Sequence, residues 1–453
     1  PEYVLKRCSH IEKNSKVTEI NESERRNILD VNREMASSAY RVLGVACNEH
    51  PGDPSKEDLE QDMTFLGLIG MIDPPRDEVK EAVEIAHKAG IKVMMITGDN
   101  PDTAKAIARH IGLLGNVDTC RSGTEPGTES DKKVQRIIAD CTVTGSELDE
   151  LNDEEFEKVA SRVNVYARTM PEQKLRIVKA LQKNGEIVAM TGDGVNDAPA
   201  LRKADIGVAM GLNGTDVAQQ SSLMVLQDDN FATIVEAVKR GRSIYENIEK
   251  FTTYLISRNF TEVTLIMLGL ILLGFELIPL LALQILFINM FDEIMPAIAL
   301  GLDPAKERIM DQPPRDPNES LLKKRNAIIM VSMAAVMASS AFLVFVSNDP
   351  AENTTMARTL TFATIVSMIL FIPFSFRSLE EPITKIGIFS NMLMVVGVLG
   401  TVLLTVAVMY IPLLSDIFEL VPLTPLDWLL PLGVAFVTLL FAEGIKYGVR
   451  GVK

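Results

Sequence analysis

Glu186-Ile187-Val188-Ala189-Met190-Thr191-Gly192-Asp193-Gly194-Val195-Asn196-Asp197-Ala198-Pro199-Ala200-Leu201 decides the reading of the soluble half of this chain. A short apolar strand, 186–190, runs into a polar turn with two carboxylates and then into a helical pattern. The same design stands earlier, where Ile91-Lys92-Val93-Met94-Met95-Ile96 meets Thr97-Gly98-Asp99-Asn100 and a helical pattern from Pro101 to Leu114. Strand, turn and helix used twice predict an open parallel α/β sheet, with its ligand site beyond the carboxyl ends of the strands. Thr97 and the nearby backbone N–H groups are placed to hold phosphoryl oxygens at a helix start. Asp193 and Asp197, with Asn196 beside them, offer oxygen ligands to Mg²⁺. Between the two segments, Ala167-Arg168-Thr169-Met170-Pro171-Glu172-Gln173-Lys174 presents Lys174 as a fixed positive charge. A Thr-Gly-Asp alone is usually only a turn, and Lys174 alone only a solvated lysine. The long string at 191–201 is far more specific.

The rest of the chain bounds the problem. At 453 residues it is too long for one ordinary domain. Its mean hydropathy of +0.17 and 47% hydrophobic residues are high for a fully soluble protein. The apolar residues are concentrated beyond Phe251, whereas charged and apolar segments alternate up to about Asp229. A net charge of −15 leaves no basic stripe to neutralise phosphates, so nucleic acid is not an expected partner. Cys8, Cys47, Cys120 and Cys141 form no CxxC and are expected to be reduced structural cysteines. No signal peptide is visible. The opening Pro1-Glu2-Tyr3-Val4 reads as a cut end.

Six apolar stretches are long enough to span a bilayer, near 251–274, 280–301, 326–346, 359–376, 388–413 and 427–445. Lys306, Arg308, Arg315, Lys323, Lys324 and Arg325 follow the second stretch, Arg377 and Lys385 the fourth, and Lys446, Arg450 and Lys453 the last. Asp349, Glu352, Asp416 and Glu419 lie in the opposite loops. The positive-inside rule therefore predicts a cytoplasmic soluble half and a cytoplasmic C-terminus, as an even number of spans requires. The helical pattern of the first span begins near Phe231, ahead of the bilayer. One continuous helix would carry motion from the soluble region into the membrane.

Polar side chains interrupt the first two spans. Asn259 and Glu262 are spaced i, i+3, and Asn289, Asp292 and Glu293 are spaced i, i+3, i+4, so each set shares one helix face. Ionisable groups at membrane depth are costly and commonly line an ion path. Pro279 and Pro296 punctuate the second span. A proline there frees a backbone carbonyl, which suits a hard cation, although it also serves as a simple kink. Inter-helix hydrogen bonding without transport is the blander reading of the acids.

Taken together, residues 97–100, 167–174, 191–201 and Asp73-Pro74-Pro75-Arg76 resemble the phosphorylation-domain and hinge motifs of P-type cation ATPases. Tyr254-Leu255-Ile256-Ser257 through Glu262, and the Pro-Pro-Arg at 313–315, resemble the calcium-pump branch. The resemblance implies a haloacid-dehalogenase-like (Rossmann-type) α/β phosphorylation domain at 73–230. It also implies the remnant of an α+β nucleotide-binding domain at 1–72 and the last six membrane helices of the family at 231–453. It further implies ATP as substrate and Mg²⁺ as cofactor. Thr97 and Gly98 would meet the phosphoryl group, Asp99 the ATP and Mg²⁺ network, and Lys174 the transferring phosphate. Asp193, Asn196 and Asp197 would form the Mg²⁺ site, and Arg41 would contact the nucleotide. Asn259, Glu262, Asn289, Asp292 and Glu293 would bind the transported cation. The lipid bilayer, at the plasma membrane, and the missing N-terminal part of the same pump are the implied partners.

Three departures qualify the resemblance. No Asp-Lys-Thr-Gly occurs, so the family's phosphorylated aspartate is absent and the chain reads as a C-terminal fragment. Phe371 falls near the place of a glutamate that calcium pumps with two ion sites carry, which favours one ion per cycle. Asp292-Glu293 replaces the usual single acid. Calcium leads, with Mn²⁺, Na⁺ or H⁺ as alternatives. The rival readings are a membrane-anchored phosphatase of the same fold and a non-catalytic regulatory membrane fragment.

Overall fold

The computed structural model describes residues 1–38, 40–48, 60–71, 74–114, 129–306 and 308–449. Asp73 and Cys120 of the sequence reading lie outside them. The chain divides into two compact units, Pro1–Ala237 with Met310–Pro314, and Val238–Ile309 with Arg315–Lys453.

Among its described residues the first unit holds ten strands: β1 (Cys8–Lys13), β2 (Lys16–Glu19), β3 (Arg41–Cys47), β4 (Met63–Met71), β5 (Met95–Ile96), β6 (Thr142–Thr144), β7 (Val165–Ala167), β8 (Ala189–Gly192), β9 (Ile206–Met210) and β10 (Met224–Leu226). Residues 1–71 build a sheet of order β2-β1-β4-β3, in which only the β1–β4 pairing is parallel. The remaining strands form two parallel sheets, β5-β7-β6 and β10-β9-β8. The alternating α/β pattern thus gives parallel strands as expected, but shorter ones. Only Met95 and Ile96 of 91–96 pair as strand, and the second strand lies three residues later than 186. The predicted helix after Pro101 ends at His110.

Helices cover these strands through apolar faces. Phe156, Val159, Tyr166 and Ile177 are buried in one core, and Val178, Met190, Leu201 and Ala209 in another. Ile96 and Val188 pack against both. Burial pushes the Tyr166 hydroxyl well above its ordinary range, and it donates to Ala160 O at 2.9 Å. Cys8 and Cys47 are free, but Cys141 is disulfide-bonded, which corrects the expectation of reduced thiols for that residue. Cys141 sits at φ 51° just after the helix Glu129–Asp140, where the backbone turns sharply into β6.

The second unit is helical. Among the described residues six helices, the first of which begins in the first unit, are long and apolar enough to cross a membrane: Phe231–Leu273, Phe275–Gly301, Lys324–Ser347, Thr354–Phe376, Met392–Tyr410 and Leu429–Gly448. They match the six predicted stretches within a few residues, and the first helix starts at Phe231, where its helical pattern was expected to begin. That first helix is continuous over 43 residues. The fourth span is almost wholly buried, and small residues such as Ala338, Ala341 and Ala363 allow close approach around it. Phe260, Ile271, Phe436 and Phe441 point outward, as lipid-facing side chains do.

Two features of the first unit can be tested. The helix Asp77–Lys88 ends at Gly90, whose φ of +71° suits glycine and whose Cβ, if present, would lie 2.6 Å from Pro314 Cδ. Gly90→Ala should cost about 1–2 kcal/mol from the backbone alone, read as a lowered thermal midpoint. Asp205 accepts from Val188 N–H at 2.8 Å and from Gln182, which lowers its pKa. A depressed carboxylate stabilises the fold above its unfolded value, about pH 4, and loses this as the pH falls through the folded value. Asp205→Asn should therefore flatten the acid limb of a thermal-midpoint-against-pH profile.

Candidate functional site

The loops after β5 and β7 are stitched together by the backbone. Thr97 N–H donates to Tyr166 O at 2.8 Å, Arg168 N–H to Asp99 O at 3.0 Å, and Thr169 N–H to Thr97 O at 3.1 Å. Thr97 is half-buried, and its hydroxyl donates to Asp99 Oδ2 at 3.0 Å. Gly98 and Asp99 are exposed. Asn100 caps the helix Pro101–His110 through Asp102 N–H. Beyond β8, the Lys174 ammonium meets Asp197 Oδ1 at 2.7 Å, and Gly194 N–H reaches Asp197 Oδ2 at 3.3 Å. Asp197 is buried, whereas Asp193 and Asn196 are exposed. Lys174 and Asp197, predicted from separate motifs, are thus direct partners. Arg41 is exposed at the start of β3, in the sheet of residues 1–71.

Asp193, Asn196 and Asp197 present only hard oxygen donors at the end of one strand. That donor set fits Mg²⁺, which takes one or two carboxylates and completes its shell with water and phosphate oxygens. Among the described residues no three Asp, Glu, His or Cys side chains converge closely enough to hold a metal ion. Any tight site here therefore needs further ligands.

The hinge motif has its own ties. Arg76 donates to Asp228 O at 3.2 Å, and Asn230 donates to Glu78 Oε1 at 2.8 Å. Both anchor the chain just ahead of the long helix that starts at Phe231.

In the second unit the polar groups gather between the first two spans. The second span is broken into the helix Ala282–Phe287, a π-turn at Ile288–Asp292 and the helix Ile294–Gly301. Pro296 cannot donate to the carbonyl of Asp292, and Glu293 N–H bonds to Ile288 O at 3.1 Å instead. The widened turn carries Asn289 and Asp292 and ends at Glu293. Asn289 donates to Glu262 Oε2 at 2.9 Å. Glu262, Asp292 and Glu293 are buried. Both oxygens of Asp292 and Oε1 of Glu262 lack a hydrogen-bond partner among the described residues. Asn259 stands apart from this group. It is exposed, and its amide bonds back to Leu255 O at 2.8 Å.

The sequence reading passed over Arg258. It is 1% exposed, and its Nε donates to Glu293 Oε1 at 3.1 Å. The signal was a ridge at i, i+4 spacing, Lys250, Tyr254, Arg258 and Glu262, all buried on one face of the first span. Asp303 was also missed. It accepts from Arg377 Nε at 2.8 Å, Asn391 Nδ2 at 2.8 Å and Lys250 Nζ at 3.2 Å, so one buried carboxylate ties together four chain segments.

The chain thus joins an α/β unit with polar loops at its strand ends to a helical unit with membrane-capable helices and buried carboxylates. Residues 277–448 match the family model "Cation transporting ATPase, C-terminus", and residues 1–78 match "P-type ATPase, cytoplasmic domain N". The chain is 41% identical over 449 residues to a calcium-transporting ATPase of Bacillus subtilis, covering 98% of this chain and 48% of that protein. It is 35% identical over 447 residues to calcium-transporting ATPase type 2C member 1 of Homo sapiens, covering 98% and 45%. The chain belongs to the P-type cation ATPases, a family of enzymes, and is calcium-pump-like within it. It spans about half the length of the curated relatives it matches.

Gly192 tests the Lys174–Asp197 arrangement. A Cβ there would lie 2.5 Å from Asp197 Cβ, whereas one at Gly98 would meet nothing within 4 Å. Gly192→Ala should cost about 1–3 kcal/mol in thermal unfolding, with Gly98→Ala nearly neutral on the same measurement.

Proposed function

We propose that this chain is the ion-carrying and phosphate-handling part of an ATP-driven pump whose cargo is calcium. The observation that carries this reading is the group Glu262, Asp292 and Glu293, buried between two membrane-capable helices with three carboxylate oxygens left without partners. Oxygen-only donors beside a widened helical turn suit a dehydrated hard cation. Mn²⁺, Na⁺ or H⁺ moved by the same mechanism is the alternative, because oxygen donors serve them too. Relatives named calcium-transporting ATPases favour calcium.

In the whole pump an aspartate attacks the γ-phosphorus of ATP, ADP leaves, and water later cleaves the acyl phosphate. The 453 residues contain no Asp-Lys-Thr-Gly, so this reading requires that aspartate from chain outside them. The soluble segment 73–230 would be a haloacid-dehalogenase-like domain, a reading supported by its parallel sheets and polar loops at the strand ends. The Thr97 hydroxyl and the Gly98 backbone would hold the transferring phosphoryl group, with Asp99 oriented by Thr97. Lys174, fixed by Asp197, would offset charge on that group. Asp193, Asn196 and Asp197 would hold Mg²⁺, which when bound neutralises phosphate charge. Arg41 would contact ATP from the segment 1–72. The helix starting at Phe231 would link phosphoryl release to the carboxylates at Glu262, Asp292 and Glu293. Loop charges support a cytoplasmic soluble part, and the plasma membrane is the proposed location.

Phosphorylation by radiolabelled ATP, in the full-length pump that carries this sequence, tests the reading. Wild type should form a calcium-activated phosphoenzyme. Asp292→Asn should lose calcium activation yet still be phosphorylated from inorganic phosphate. Lys174→Met should lower phosphorylation by about 100-fold by either route. Phosphatase activity that ignores cations and survives Asp292→Asn would sink the proposal.

A further inference from the structure

The stretch Gly211-Leu212-Asn213-Gly214-Thr215 follows β9, the strand paired with β8, and the pump reading gives it no task. Its backbone is clamped from both sides. Through Oδ1 the Asp229 carboxylate accepts from Gly211 N–H at 2.7 Å and from Leu212 N–H at 3.0 Å. Through Oδ2 it accepts from the backbone N–H and the side-chain amide of Asn213, each at 2.8 Å. The Gln219 amide donates to the carbonyls of Met210, Gly211 and Gly214 at 3.3, 3.1 and 3.3 Å. At the far end of the stretch, Thr215 N–H donates to Asp193 O at 2.8 Å. Asp229 is itself held at φ 50° in the turn ahead of the long helix. On one side of it the Asp228 carboxylate accepts from Thr233 Oγ1 at 2.6 Å, and on the other Asn230 Oδ1 accepts from Ala232 N–H at 2.9 Å.

We infer that Asp229 is a positioning residue for the Mg²⁺ loop, fixing the backbone of Asp193 through the stretch 211–215. The inference deepens the Mg²⁺ role proposed above for Asp193 and rests on it. Among the described residues the exposed Asp193 carboxylate has no hydrogen-bond partner, so its place is set by its backbone. That backbone leaves β8 and is then held at its carbonyl by Thr215. Three successive N–H groups aimed at one carboxylate form an anion nest, and charge-assisted bonds are about twice as strong as neutral ones. A neutral amide at 229 keeps one oxygen and turns an NH₂ towards two donors. The stretch then loosens, Thr215 N–H drifts from Asp193 O, and Asp193 must be ordered when Mg²⁺ binds. Asn tolerates the left-handed conformation as Asp does, so Asp229→Asn changes the acceptor and not the backbone preference.

Phosphorylation of the full-length pump by radiolabelled inorganic phosphate, titrated with Mg²⁺, provides the test. Hydrogen exchange at residues 193–197 is followed on the same protein with and without Mg²⁺. Partners that orient a metal ligand are commonly worth about 10–100-fold in metal affinity. Asp229→Asn should raise the Mg²⁺ concentration for half-maximal phosphorylation by about 10-fold while the maximum stays within about twofold. Exchange at 193–197 should quicken in the Mg²⁺-free variant. A merely structural role would lower the thermal midpoint and leave the titration in place, so a wild-type titration in folded Asp229→Asn overturns the inference. If Asp229→Asn does not fold, Thr215 decides, because its φ of −71° admits proline. Thr215→Pro and Thr215→Ala both lose the hydroxyl that caps the following helix, but only Thr215→Pro loses the N–H on Asp193. A titration shifted about 10-fold in Thr215→Pro relative to Thr215→Ala supports the inference, and coincident titrations overturn it. A wild type in which Mg²⁺ alters neither phosphorylation nor exchange at 193–197 overturns the Mg²⁺ reading of Asp193 itself, an outcome separate from failure at Asp229.

Discussion

A carboxylate or guanidinium moved from water into a helix bundle gives up its hydration, and it persists only where opposite charge or hydrogen bonds replace that water. The second unit meets this condition twice, in opposite proportions. At Asp303 one carboxylate lies between two cations, Lys250 and Arg377, with Asn391 completing its contacts. At Arg258 one buried cation is bonded to Glu293, and buried Glu262 and Asp292 keep three oxygens without partners among the described residues. The first cluster is paired and can serve as a fixed anchor. The second keeps oxygens in reserve. Lys250 and Arg258 stand two turns apart on one face of the same helix, so a single element connects the anchored cluster to the unsatisfied one.

Much of this was legible in the sequence, for reasons that differ by residue. The six spans were readable because length and hydropathy alone decide whether a helix can cross a bilayer. The loops at 97–100 and 191–197 were readable because a short apolar run ending in small and polar residues has few other uses. The acids at 262, 292 and 293 were readable because they break apolar runs. Asn259 shared that signal, and helical spacing could not show that its amide turns back to Leu255 O. The π-turn was hidden because periodicity assumes a uniform helix, although Pro296 marked the spot. Arg258 escaped notice because it sits inside a run read for its acids and amides. Its burial depends on what packs opposite.

The soluble loops show the same division between pattern and partner. Each polar turn was visible by itself. The bonds that tie each of them to other segments were not, because they join residues far apart in the chain. Arg168 and Thr169 bond to Asp99 and Thr97 across two strands. Lys174, from a helix start, meets Asp197, from the turn after another strand. The absence of a side chain at Gly192 leaves room for the Asp197 carboxylate.

The helix Phe231–Leu273 has a mechanical consequence. At its 43 residues it is about 65 Å long. The hydrocarbon core of a bilayer is only about 30 Å thick. More than half of the rod therefore lies outside the apolar slab. Phe231 is about 40 Å along the axis from Arg258, so a tilt of about 10° pivoting at Arg258 sweeps the far end through about 7 Å. For a straight helix of this length, a small change of angle at Arg258 corresponds to a shift of several ångströms at Phe231 without any bend.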